Sequence, residues 1–394
     1  MKKIKREHYL NKIISYKDTP DIKIITGIRR SGKSELLLDY IDYLKCNKNI
    51  NIIFINFFDL DFEYLKEYHK LNDYILEKYN KSKQNYLFID EVQLCKNFEI
   101  TINSLHAKKM FDIYLTGSNA FLLSSDLATL FTGRTCKIEM YPFSYQEYLL
   151  YSNDSKEVGF NNYIKYGGMP GSYVYKDEEQ IYNYLNDIFD TVILRDLVER
   201  HNVKDFLVLE NLSSFLMDNI SNLTTPKKVS DILANNKFEA SHNTIGNYIK
   251  YLCESYIFYK AKRYDLKGKK YLATSEKYYL SDHSFRYAKL GYRNLDLGRV
   301  YENIIYIELL RRGYTVYIGK LYEKEIDFVA TKRNEQIYIQ VSSFIEEEST
   351  FKREYDPLLK IKDNYPKYII ARTNQEKYMY EGIIIFDIID WLLS

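Results

Sequence analysis

Eight residues, GIRRSGKS from Gly27 to Ser34, place two glycines, a lysine and a hydroxyl at the spacing GxxxxGK[ST], a spacing that holds a chain of phosphates. Gly27 and Gly32 let the backbone wrap round phosphate oxygens, with Ile28, Arg29, Arg30 and Ser31 forming the wrap. Lys33 is placed to bridge the β- and γ-phosphates of ATP, and Ser34 to offer its hydroxyl to Mg²⁺. The guanidinium groups of Arg29 and Arg30 either touch phosphate or stand in solvent. YLFIDE then delivers Asp90 and Glu91 to the end of an apolar run, and ligands of open α/β sheets bind at the carboxyl ends of strands. Asp90 suits the hydration shell of Mg²⁺, and Glu91 suits polarising an attacking water. In FDIYLTGSNA, Ser118 or Asn119 could hold that water or sense the γ-phosphate, or simply cap a helix. FTGR sets Arg134 on a loop, as an arginine finger or as a surface ion pair.

These groups need strands behind them and helices after them. IKIITG (22–27) is a short apolar run entering a glycine turn, and SELLLDYIDYL continues with apolar residues at helical spacing. Further runs at NIIFINF, YLFID and FDIYLTG alternate with helical stretches, which predicts parallel strands joined by crossovers. Residues 1–143 therefore read as an α/β domain of the P-loop NTPase class, with a parallel sheet. Residues 144–222 read as a helical lid, broken by the turn YGGMPGS. Residues 223–285 give two helices, the second capped by Ser241, and then two alternating segments around a Lys-Gly turn: a winged helix. Residues 286–394 open on a periodic helix, RVYENIIYIELLRR, followed by strands YTVYIG, EIDFVA and IYIQVS.

Length and composition bound the rest. A chain of 394 residues predicts several domains. With 56 Lys and Arg against 54 Asp and Glu, a wholly basic nucleic-acid coat is excluded and only local basic patches remain. No apolar run approaches the roughly 20 residues that cross a bilayer, and no leader pattern opens the chain, so a soluble cytoplasmic protein with no membrane partner is expected. Cys46, Cys95, Cys136 and Cys253 lack metal or disulfide spacing.

The segments ITGIRRSGKS, FIDEVQ, LTGSNAFLLS, GRT with YPFSYQEY, YGGMP, ILRDLVERH, RYDLKGKK, ENIIYIELLRRGY and EIDF together resemble a known family. It is that of the prokaryotic AAA-type ATPases of the signalling NTPase superfamily (STAND) that carry a C-terminal domain of initially unknown function. The resemblance implies an ATPase core, a winged helix and a terminal domain similar to restriction-endonuclease-like PD-(D/E)XK folds. It also implies that Gly168, Met169 and Pro170, as a GxP signature, contact bound nucleotide.

In nuclease folds of that kind one acid comes from a helix, a second from a strand and an acid-x-Lys from the next strand, converging on Mg²⁺. Glu302, Asp327 and Gln340 hold those places. Gln340 offers a neutral oxygen where a carboxylate is usual, and Ser342 stands where the lysine would be; Lys324 and Lys352 are the nearest substitutes. The helix 241–254 carries only Lys250 as a basic residue. The hairpin after it interleaves Lys260, Lys262, Arg263, Lys267, Lys269 and Lys270 with Tyr259, Tyr264 and Tyr271, which suits phosphate contact. Three outputs follow: a switch acting on DNA or another nucleic acid, a nucleotide-gated scaffold for protein, and an ATP-regulated nuclease. Oligomerisation is left open.

Overall fold

The strands that lead to the phosphate loop are β1 (Ile22–Thr26), β2 (Ile50–Asn56), β3 (Gln84–Asp90), β4 (Asp112–Thr116) and β5 (Thr135–Glu139). The computed structural model describes residues 4–117, 131, 133–268, 270–291 and 296–394. Among these, the five strands form one wholly parallel sheet in the order β2-β3-β4-β1-β5. They belong to a unit made of the residues up to Tyr141 with Glu254–Tyr256. A parallel sheet is covered on both faces, so its strands read as continuous apolar runs; β1 is buried at every position, and β3 at every position after Gln84. Ile24, Ile55, Leu87, Ile89 and Leu115 pack with Phe98, Ile102 and Leu105 of the helix Phe98–Ala107. The fifth strand, TCKIE, lacks such a run: its lysine is exposed and only Ile138 is fully buried, and sequence pattern alone passed it over.

Lys23 in the middle of β1 is the exception to the apolar rule. Its ammonium reaches Asp112 at 2.5 Å and the Thr19 carbonyl at 2.6 Å, so the buried charge is paired and hydrogen-bonded.

The second unit comprises residues 142–253 and 257–394. It begins with the helix Tyr145–Ser152, which Ser144 and Glu147 start through a reciprocal capping box. The helices Lys156–Tyr166, Glu178–Asp190 and Phe206–Asp218 follow. Next come Pro226–Asn235 and His242–Glu254. Ser241 caps the latter by accepting the Thr244 N–H at 3.1 Å, as its sequence predicts, and Ile245, Ile249 and Leu252 are buried.

The predicted hairpin forms as β6 (Phe258–Asp265) and β7 (Lys270–Leu280). It is no free wing. β6 pairs in parallel with β8 (Thr315–Leu321), so the hairpin is the edge of an eight-stranded sheet. That sheet continues through β9 (Lys324–Lys332), β10 (Glu335–Val341), β11 (Lys367–Ala371), β13 (Ile383–Asp387) and β12 (Tyr378–Tyr380). β8, β9 and β10 form an antiparallel meander behind the helix Leu297–Arg311. The helix Glu348–Leu359 then crosses over to β11, which lies parallel to β10. No helix among the described residues is long and apolar enough to cross a membrane.

Candidate active site

β1 ends at Thr26 and the phosphate loop follows it, leading into the helix Lys33–Lys45. Gly27 has φ +136°, and a Cβ there would lie 2.1 Å from the Met140 carbonyl oxygen, so the loop can start only with glycine. Gly32, at φ +96°, has open space around the same position. Lys33 is buried, and its ammonium is bonded to the Gly27 and Ile28 carbonyls at 3.0 and 2.9 Å. Ile28 is buried, Arg29 lies over the Phe58 ring at 6.0 Å, and Arg30 is exposed with φ +63°.

The metal ligands expected from sequence come together. Asp90 ends β3; burial pushes its carboxyl above the usual carboxylate range, while hydrogen bonds from Thr116 and Ser34 pull it back. A carboxylate and a serine hydroxyl already in contact are hard oxygen donors of the kind Mg²⁺ takes. The buried Ser31 hydroxyl has no hydrogen-bond partner, an orphaned polar atom within the phosphate wrap. The donor set and that orphan fit ATP with Mg²⁺. Glu91 follows Asp90 in the left-handed region, φ +54°. Its carboxylate accepts from Gln93 Nε2 at 2.5 Å, and its N–H donates to Thr116 Oγ1 at 3.0 Å.

Three contributors escaped sequence reasoning. Thr116 at the end of β4 bridges Asp90 and the Glu91 amide; the small polar residues after FDIYL were its signal. Gln93 orients Glu91 from two residues away. Arg6 lies outside any motif, yet it is buried and donates to the carbonyls of Ser31 and Tyr141 at 3.0 and 2.9 Å. Ser118 and Asn119 lie outside the described residues. Arg134 is exposed and immediately precedes β5, its carbonyl accepting the Ile22 N–H at 2.9 Å. It therefore sits beside the start of β1, whereas the phosphate loop leaves that strand's end, roughly 16 Å away along five extended residues. Within its own chain Arg134 is not brought to the loop.

Gly168, Met169 and Pro170 lie in the second unit, where their packing accounts for the glycines. A Cβ on Gly168 would lie 2.3 Å from the Phe143 carbonyl oxygen, and one on Gly167 would lie 1.9 Å from Asp282. The Gly168 N–H donates to Asp282 at 2.6 Å, and Met169 is fully buried.

A second cluster forms in the eight-stranded sheet. Glu302 on the helix Leu297–Arg311, Asp327 on β9 and Gln340 on β10 do converge, with Glu354 of the helix Glu348–Leu359 beside them. Gln340 Oε1 accepts the Asp327 N–H at 2.7 Å, its Nε2 donates to Glu354 at 2.9 Å, and Asp327 accepts the Val341 N–H at 2.8 Å. Neither lysine suggested by the sequence belongs to the cluster: Lys324 pairs with Asp356 at 3.7 Å, and Lys352 is exposed. Ser342 donates to the Phe344 carbonyl. The cation present is Lys277 of β7. Its ammonium lies 2.9 Å from Glu302, 2.7 Å from Glu325 and 3.8 Å from Asp327. Burial works against that charge, but Glu302, Asp327 and Glu325 outweigh it and hold Lys277 firmly protonated. Burial pushes Glu302 and Asp327 upward, with Lys277 opposing the rise at each.

Comparison with known proteins gives these sites a setting. Residues 19–149 match the profile of an AAA domain, and residues 158–296 match a domain of unknown function, DUF8612. The latter runs across both the lid and the winged helix expected from sequence. An uncharacterized protein of Haemophilus influenzae is 41% identical over 399 residues, covering 99% of each chain. An uncharacterized protein of Methanocaldococcus jannaschii is 28% identical over 356 residues, covering 86% of this chain and 78% of that one. Among solved structures, a Walker-type ATPase of Pyrococcus abyssi aligns at TM-score 0.45 and 14% identity, over 72% of this chain and 94% of that one. AMPPCP-bound DnaA from Aquifex aeolicus aligns at TM-score 0.34 and 15% identity, over 64% and 90%.

Proposed function

The chain belongs to one family with the Haemophilus influenzae protein, whose first domain in this chain is an AAA-type P-loop ATPase domain, and from that premise we propose a Mg²⁺-dependent ATP hydrolase that works as a conformational switch. The observation that carries the reading is the contact of Ser34 with Asp90, with Glu91 next in the chain. Bound Mg²⁺ supplies neutralisation of phosphate charge and polarisation of the transferred phosphoryl group. The loop amides and Lys33 hold the phosphates; Ser34 and Asp90 hold the metal. Glu91, held by Gln93, takes the proton of the attacking water. Gly168, Met169 and Pro170 contact bound nucleotide in this reading, as the family resemblance implies, and the nuclease-like sheet with its edge hairpin is the output.

Nucleic acid is the partner this reading favours, because Lys260, Lys262 and Lys267 of the hairpin are exposed. ATP turnover by wild type, Lys33→Ala and Glu91→Gln, with and without duplex DNA, tests it. Lys33→Ala loses binding, Glu91→Gln binds without turning over, and DNA changes the wild-type rate. Unaltered turnover in Glu91→Gln removes Glu91 from its role. Absence of salt-dependent binding to duplex DNA removes nucleic acid as partner and leaves a protein-binding scaffold.

A further inference from the structure

In the nuclease-like site the three places that would hold a metal are filled differently. A divalent ion there needs hard, anionic oxygens facing one point. Gln340 supplies a neutral oxygen, already accepting the Asp327 N–H, and its amide nitrogen is spent on Glu354. Glu302 Oε1 accepts from both Lys277 and the Tyr279 hydroxyl, at 2.9 and 2.7 Å. One Asp327 oxygen is tied to the Val341 amide and the other faces Lys277. The point on which Glu302, Glu325 and Asp327 converge already holds a cation, one whose side chain is only 4% exposed. The residues present do not fit a resident metal.

We propose that Lys277 takes the cation position of the nuclease-like site, so that the C-terminal domain holds no divalent metal and binds its partner without cutting it. The route into the site is strand alternation: Lys277 and Tyr279 share one face of β7 and both reach Glu302 Oε1. β7 shifts register against β6 between Ala261 and Arg263, and Lys277, opposite Ala261, is the first residue of β7 paired beyond the shift. A lysine from the edge hairpin meets Glu302 of the helix Leu297–Arg311 and Glu325 and Asp327 of β9. Removing a divalent ion from a cluster of acids leaves buried negative charge that must be met; a fixed ammonium meets it permanently, at the cost of the Lewis acid. The hairpin, through the same contact, is fastened to the sheet at its chemical centre.

The inference rests on the nuclease-like reading of this sheet and is independent of ATP hydrolysis. It is tested by Mn²⁺ titration followed by electron paramagnetic resonance, on the full chain without nucleotide, in a Ser34→Ala, Asp90→Asn background that silences the phosphate-loop metal site. The unaltered cluster is expected to bind no Mn²⁺. Lys277→Met is expected to gain one ion per chain, and adding Asp327→Asn to lose it. Mn²⁺ bound by the unaltered cluster and lost on Asp327→Asn would overturn the proposal while leaving the nuclease-like reading intact. A folded Lys277→Met chain that binds no Mn²⁺ overturns both, since the acids then form no cation site. The first arm alters nothing around Lys277, so it decides the matter even if Lys277→Met does not fold.

Discussion

Two buried lysines serve the two sheets in opposite ways. Lys33 is bonded to two carbonyls of its own loop. These are neutral dipoles, and a phosphate oxyanion offers the ammonium a stronger, charge-assisted bond. Lys277 is bonded to carboxylates, with Glu302, Glu325 and Asp327 around it. No incoming anion displaces three acids. The difference teaches how to read a buried cation: carbonyl partners leave a lysine available to a ligand, whereas a ring of carboxylates makes it a fixed part of the structure. The acids follow the same rule in reverse. Asp90 meets the hydroxyls of Thr116 and Ser34, with Lys33 drawing on it as well, while Glu302 and Asp327 face Lys277.

The comparison breaks first on turnover. Glu91→Gln is expected to slow ATP hydrolysis by about 10²- to 10⁴-fold, the usual worth of a general base, with nucleotide affinity retained. Rapid-quench measurement of phosphate release checks it. Glu302→Gln, in the other cluster, is expected to leave hydrolysis within about twofold of wild type. A loss matching that of Glu91→Gln would end the division of labour between the sheets.

Stability gives the next contrast. Lys277→Met strips the cation from buried acids and is expected to cost about 3–5 kcal/mol of unfolding free energy, the range for removing one partner of a buried pair. Lys33→Met removes bonds to two neutral loop carbonyls and a charge that draws on Asp90, and is expected to cost less than Lys277→Met, about 1–2 kcal/mol, the order of one or two net hydrogen bonds. Urea denaturation of both variants measures the difference. Equal losses would mean that Lys33 too is a structural cation.

Much of the first sheet was legible in the sequence because parallel strands covered by helices carry apolar runs, and β1 to β4 each do, β1 in spite of its paired Lys23. The phosphate loop was legible for a related reason: its residues act through backbone geometry and fixed spacing, which sequence records directly. Thr116 and Arg6 were not, because they act through long-range hydrogen bonds that no periodicity encodes, and Gln93 was not, because its bond to Glu91 depends on the turn that follows β3. The second cluster was half legible. Glu302, Asp327 and Gln340 follow from element order, but Lys277 stands in KYYL, a plain strand sequence, and meets them only because β6 pairs in parallel with β8 and brings β7 into the sheet. The hairpin itself was predicted; its place in the sheet was not, since pairing between segments some fifty residues apart leaves no local trace.

The two glycines of the phosphate loop sharpen the first half of the comparison. Gly27→Ala must move the Met140 carbonyl, 2.1 Å from the new Cβ, and also bear a positive φ. It is expected to abolish nucleotide binding. Gly32→Ala meets open space, so only the left-handed conformation is penalised, about 1–2 kcal/mol. Fluorescent-nucleotide titration should find Gly32→Ala weakened by roughly five- to thirtyfold if that strain falls wholly on the bound loop. Identical affinities for the two variants would show that the loop is not braced on Met140.

The smallest expected effect concerns what the fixed lysine frees the hairpin to do. With Lys277 committed to the interior, phosphate contact falls to the exposed lysines, and these differ. Lys260 is 3.3 Å from Glu276, whereas Lys267 lies over the Tyr322 ring at 4.7 Å, a neutral partner that leaves its charge uncompensated. Each lysine that neutralises a DNA phosphate releases about 0.9 of a counterion, and its loss lowers the slope of log affinity against log salt by that amount. Lys267→Ala is therefore expected to lower the slope by about one and Lys260→Ala by less, because Glu276 already screens Lys260. Fluorescence anisotropy with labelled duplex from about 50 to 200 mM salt separates the two. Equal slopes for both variants and the wild type would place the nucleic-acid surface elsewhere on the chain, leaving the hairpin as a clamp on the sheet and nothing more.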